Sequence, residues 1–84
     1  MFEIRLDKQP TDFLKKCETV LYKRITGKLH ALGDNPIPHE AKRVIGYEDP
    51  TFRLRVGKYR VLYRINYEAK SVIVVKIDHR ENVY

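Results

Sequence analysis

The run from Phe52 to Arg64, Phe-Arg-Leu-Arg-Val-Gly-Lys-Tyr-Arg-Val-Leu-Tyr-Arg, constrains this chain more than any other stretch. Basic and apolar residues alternate on both sides of Gly57-Lys58, and no acidic residue lies between Phe52 and Tyr67. A period of two sends successive side chains to opposite faces of a sheet, and Gly57-Lys58 permits a tight hairpin. Two adjacent strands are therefore expected, over about Thr51–Val56 and Lys58–Asn66. One face receives Phe52, Leu54 and Val56; the other receives Arg53 and Arg55. Like charges gathered on one sheet face oppose folding. Such a face makes sense if something polyanionic docks against it.

The rest of the chain supplies the partners this hairpin needs. Phe2, Ile4 and Leu6 alternate with Glu3, Arg5 and Asp7, the pattern of a half-buried strand. Pro10-Thr11-Asp12 punctuates, with Thr11 or Asp12 able to cap a helix that carries Phe13, Leu14 and Cys17. Leu21, Ile25, Leu29 and Leu32 then make one apolar stripe at helical spacing, with Lys23, Arg24, Lys28 and His30 on the other sides. Gly27 weakens that helix, by about 1 kcal/mol relative to alanine. The breakers from Gly33 to Pro38 end it, and the chain reads as loop through Pro50. Val72-Ile73-Val74-Val75, within a last strand at about Ser71–Asp78, is apolar on both faces and belongs centrally in the sheet.

The order β-α-α-β-β-β predicts an α+β fold, a single domain over residues 1–84. A helical hairpin packs on one face of an antiparallel sheet completed by three C-terminal strands. The helix stripe buries against Leu54, Val56, Val61, Tyr63 and Ile65. Arg53, Arg55, Arg60 and Arg64 are left on the opposite face.

Eighty-four residues leave room for one core and none for a deep enclosed pocket, so any chemistry sits on an open surface and suits a macromolecular substrate. Seventeen Lys and Arg against 11 Asp and Glu give a net charge of +6, which favours nucleic acid, an anionic membrane surface or an acidic protein partner. Cys17 is the only cysteine, so an intramolecular disulfide and a multi-cysteine zinc site are both excluded. His30 and His39 read as surface residues with no metal-ligand spacing, and no glycine loop of the phosphate-cradling kind occurs. The longest apolar stretch is too short to span a bilayer, and Met1 to Asp7 does not build a signal peptide. A cytoplasmic location, with no membrane partner, is the expectation.

The Gly-x-Tyr-Arg-x-x-Tyr block at Gly57–Tyr63, paired with His79-Arg80-Glu81-Asn82-Val83-Tyr84, resembles the RelE/ParE superfamily of toxin–antitoxin toxins, and the likeness covers essentially the whole chain. The resemblance implies one of two activities. RelE-like members cut messenger RNA on the ribosome without metal or cofactor, inhibiting translation; ParE-like members poison DNA gyrase without being enzymes. A third possibility is a catalytically inactive RNA-binding relative. On the RelE-like reading the partners are a cognate antitoxin and mRNA on the ribosome. The expected catalytic residues are Arg60, Arg80 and Tyr84, with RNA bound by Arg53, Arg55, Lys58 and Arg64. His79 is a weaker base candidate, because strand alternation aims it away from Arg80. Arg53 and Arg55 stand where familiar RelE proteins carry lysines. A guanidinium keeps its proton throughout the physiological range, so these two can bind phosphate but cannot act as bases.

Overall fold

The computed structural model describes residues 1–79. β1 (Glu3–Leu6) leads into α1 (Lys8–Lys16) and α2 (Thr19–Asp34); β2 (Lys42–Val44), β3 (Thr51–Val56), β4 (Tyr59–Asn66) and β5 (Ser71–His79) follow. All five strands form one sheet in the order β1-β5-β4-β3-β2. β2 through β5 are antiparallel neighbours, whereas β1 runs parallel to β5, with Ile4 opposite Val72. The sheet is thus mixed, and the expected α+β order of strand, helical hairpin and three long strands is present. β5 is covered by a strand on each side. Its apolar run at Val72–Val75 does sit inside the sheet.

Two local features depart from the sequence reading. α1 begins at Lys8 rather than after Pro10, with Asp7 as its extended N-cap residue. Pro10 falls in the first turn, where backbone N–H groups have no intrahelical acceptor and a missing one costs nothing. β2 lies in the stretch read as loop. Three residues cannot show a period, and only their pairing with Thr51–Arg53 makes them a strand.

The core lies between the helices and one sheet face. Leu21, Ile25, Leu29 and Leu32 of α2 bury against Leu54, Val56, Val61, Tyr63, Val72, Val74 and Ile77, with Ile65 packed at the margin. Gly33 lets the N-terminal segment approach closely: its carbonyl accepts the Phe2 N–H at 2.7 Å, and a Cβ there would stand 3.0 Å from the Phe2 oxygen. Gly57 has φ of 60° in the two-residue hairpin between β3 and β4. α1 is tied to the sheet by a reciprocal pair. The Gln9 amide donates to the Ile77 carbonyl at 2.7 Å, and the Ile77 N–H donates to Gln9 Oε1 at 2.8 Å. β1 pairs with β5 only as far as Val74, so Gln9 serves the backbone of β5 beyond that strand. Among the described residues no helix is long and apolar enough to cross a membrane.

Candidate nucleic-acid interface

The face of the sheet turned away from the helices is organised in ranks by strand register. Arg55 of β3 is opposite Arg60 of β4, and Arg60 is opposite Asp78 of β5. One rank further, Lys42 of β2 is opposite Arg53, Arg53 opposite Leu62, and Leu62 opposite Lys76. The next rank runs from Val44 through Thr51 and Arg64 to Ile73 and Arg5. Register partners share a face, with Cβ atoms about 4.5–5.5 Å apart. Residues two apart along a strand repeat every ~7 Å. Cationic side chains therefore recur along the face at nearly constant pitch.

The ranks differ in their surroundings. Arg60 is only 3% exposed, while Arg55 beside it is open to solvent. Arg55 opposite Arg60 is a like-charge pair, and Asp78 on the other flank of Arg60 offsets part of that repulsion. Asp78 is itself positioned: Oδ1 accepts the His79 N–H at 2.8 Å, and Oδ2 lies 3.9 Å from Lys76 Nζ. In the middle rank Leu62 is 1% exposed although it faces away from the helices. Arg53 and Lys76 flank it, and long basic side chains cover apolar surface with their stems while keeping their charged heads in water. In the third rank Arg64 Nη1 is 3.7 Å from Asp49 Oδ2, and Arg5 pairs with Glu3 at 3.1 Å.

Of the residues singled out in the sequence, Arg53, Arg55, Arg60 and Arg64 come together on this face. Lys58 does not join the ranks. It occupies the hairpin turn and lines a groove of about 1060 Å³ on the helix side, floored by Phe13, Leu21, Val56 and Tyr59. His79 is also on the helix side, opposite Tyr59, with the two rings edge to face at 5.4 Å. Arg80 and Tyr84 lie outside the described residues. Lys42, Lys76 and Asp78 belong to the face but escaped the sequence reading. Lys76 and Asp78 alternate with Ile77, a signal that was available; Lys42 had none, because β2 has no period of its own.

Tyr63, in the Gly-x-Tyr-Arg-x-x-Tyr block, is structural. It is fully buried, stacks on Phe52 with ring centres 5.7 Å apart, and donates its hydroxyl to the Pro36 carbonyl at 2.8 Å. Burial first, then the negative charge of Glu40 and the neighbouring Tyr67, pushes its phenol well above the usual tyrosine range. It stays protonated and anchors the loop after α2 to the sheet. Among the described residues no three His, Cys, Asp or Glu side chains gather to share a metal ion.

The family model described as "ParE toxin of type II toxin-antitoxin system, parDE" matches residues 7–84. A candidate toxin of Methanocaldococcus jannaschii, RelE1, is 33% identical over 86 residues, covering 99% of this chain and 94% of the relative. The chain is a RelE/ParE-superfamily toxin of a type II toxin–antitoxin system, on the RelE-like branch. The toxin superposes on the archaeal RelE–RelB complex of Pyrococcus horikoshii OT3 with a TM-score of 0.81 at 26% identity, covering 94% of each chain. Its TM-score against the RelBE2 toxin–antitoxin complex of Mycobacterium tuberculosis is 0.80, again at 26% identity, covering 94% of this chain and 98% of that one.

Proposed function

We propose that this toxin is a ribosome-dependent endoribonuclease that cleaves messenger RNA by attack of a 2′-hydroxyl on the adjacent phosphate. The observation that carries this reading is the ranked arginine face, above all a nearly buried Arg60 between Arg55 and Asp78. The reaction needs a group to take the 2′ proton, charge to stabilise the pentacoordinate phosphate, and a proton for the 5′ leaving oxygen. A guanidinium fork matches two phosphate oxygens. Arg60 is assigned that contact together with Arg80, and Arg53 and Arg55 take the flanking phosphates. Tyr84 is the candidate to accept or orient the 2′ proton. His79 is not given that role, since its ring rests against Tyr59 on the other side of the sheet.

Added to a translating extract, the purified toxin should leave truncated messages with 2′,3′-cyclic phosphate ends. Arg60→Ala should slow cleavage by about 10²–10³, the usual loss when one donor to a transition-state oxyanion is removed. Intact transcripts and undiminished protein synthesis at saturating toxin would sink the reading. A second reading, gyrase inhibition, is favoured by one observation: the matching family model is the ParE one. Dose-dependent loss of supercoiling by gyrase, with translation unaffected, would promote it.

We also propose an antitoxin partner, as the solved RelE–RelB complexes suggest. It carries carboxylates, since the surface it has to cover is basic. A co-expressed acidic partner should abolish RNA binding; a complex that binds RNA as tightly as free toxin would overturn this.

A further inference from the structure

The third rank of the face ends in a small cleft that the proposed chemistry at Arg60 does not use. Its volume is about 410 Å³, and Asp49, Arg64, Asn66, Tyr67, Glu68 and Ile73 line it. Arg64 lies four residues from Arg60 on the same strand and face, so the two stand roughly 14 Å apart along β4. That separation suits two backbone steps of an extended nucleotide strand. One donor of the guanidinium is unmet: its Nε is buried without a hydrogen-bond partner, the rest of the side chain is partly open to solvent, and the pairing to Asp49 at 3.7 Å is longer than a hydrogen bond. The Asp49 carboxylate is 73% exposed, so that pair contributes little on its own.

The charge of the cleft decides what it takes. Two carboxylates, Asp49 and Glu68, line the cleft with one guanidinium, which disfavours a phosphate. Donor and acceptor side by side match the edge of a base. Arg64 can donate to an exocyclic carbonyl oxygen, while Asp49 can accept from adjacent N–H groups. Guanine presents one acceptor beside two such donors. The Asn66 Oδ1 already accepts the Ala69 N–H at 3.0 Å, which leaves its amide hydrogens for the ligand. Ile73 and the exposed ring of Tyr67, held edge-on against Phe2 at 5.8 Å, supply apolar walls for the base plane.

We propose that this cleft is a nucleobase subsite, selective for guanine, that holds the nucleotide two steps from the linkage gripped at Arg60. The proposal rests on the reading of the face as an RNA surface. Its test is binding, measured by fluorescence anisotropy with labelled 2′-deoxy-blocked hexauridylates that cannot be cleaved, in which a single guanine is moved through the six positions. One position should bind the toxin more tightly than all-uridine by roughly fivefold or more, the scale of a good paired contact to a base. Asp49→Asn should remove that preference while leaving affinity for all-uridine within about twofold; Arg64→Gln should remove it as well, together with a general loss of RNA affinity because a cation leaves the face. Asp49 is an exposed loop residue, so its variant tests the site without risk to the fold. Equal affinity at every position, or a guanine preference that survives both substitutions, overturns the subsite alone. Failure of every oligonucleotide to bind, even at low salt, instead removes the RNA face and the subsite with it.

Discussion

At Tyr63, burial and a hydrogen bond act in the same direction. The phenol that donates to Pro36 is held protonated, so the folded state binds this proton more tightly than the unfolded chain, in which tyrosine ionises near 10.0. Its contribution to stability is complete below that pH and falls away as the pH climbs beyond it, because only the unfolded chain then ionises. Tyr63→Phe should cost about 1–2 kcal/mol at neutral pH, mostly through the half-buried Pro36 carbonyl left without a donor. It should also flatten the alkaline decline. Urea melts of both proteins from pH 8 to 11 check this; parallel curves for the two would show that Tyr63 is not the titrating group. At Arg60 the expectation concerns shape rather than charge. Arg60→Lys keeps the positive charge but loses the fork. It should retain most RNA affinity and lose most cleavage, as single-turnover rates on programmed ribosomes will read.

At the scale of elements, α2 and α1 are held by different means. α2 is fastened by its stripe, and truncating Ile25, fully buried at its centre, should cost about 2–5 kcal/mol. Gly27 on the same helix has open space around it, with nothing within 4 Å of a Cβ placed there. Gly27→Ala should therefore stabilise the protein by about 1 kcal/mol; a loss of stability in thermal melts would mean that the position serves something beyond the helix. α1 is short and depends on Gln9. Gln9→Ala strips two partners from the Ile77 backbone and should cost about 1–3 kcal/mol. Hydrogen exchange should then quicken at Ile77 while the β3–β4 pairing keeps its protection. Unchanged exchange at Ile77 would show that water replaces the amide without loss.

For the whole molecule, one sheet separates two functions of opposite polarity. One face is apolar and closes the core under α1 and α2; the other is cationic and collects charge from all five strands. Binding to a short single strand that spans three phosphates should weaken with salt at a log–log slope of about −2. Removing Arg53, in the middle rank, should make the slope shallower by about 0.7. A slope near zero for the wild-type protein would mean that the face does not contact phosphate. Lys58→Ala, at the turn beside the helix-side groove, should leave the slope unchanged.

Much of this arrangement was legible in the order of residues. A period of two from Phe52 to Arg64 dictates two strands with unlike faces, and a spacing of three and four from Leu21 to Leu32 dictates a helix with one apolar side. Neither signal depends on anything distant. The parallel pairing of β1, the strand at Lys42–Val44 and the bond pair from Gln9 to Ile77 carry no local signal, because each exists only through a partner far away in the chain. The same division applies to the site. Alternation placed four arginines on one face and turned His79 away from Arg80, but only register says that Arg60 stands between Arg55 and Asp78 and that Lys42 and Lys76 complete the middle rank. Side-chain direction is a local property of a strand, whereas which side chains become neighbours is decided when strands pair.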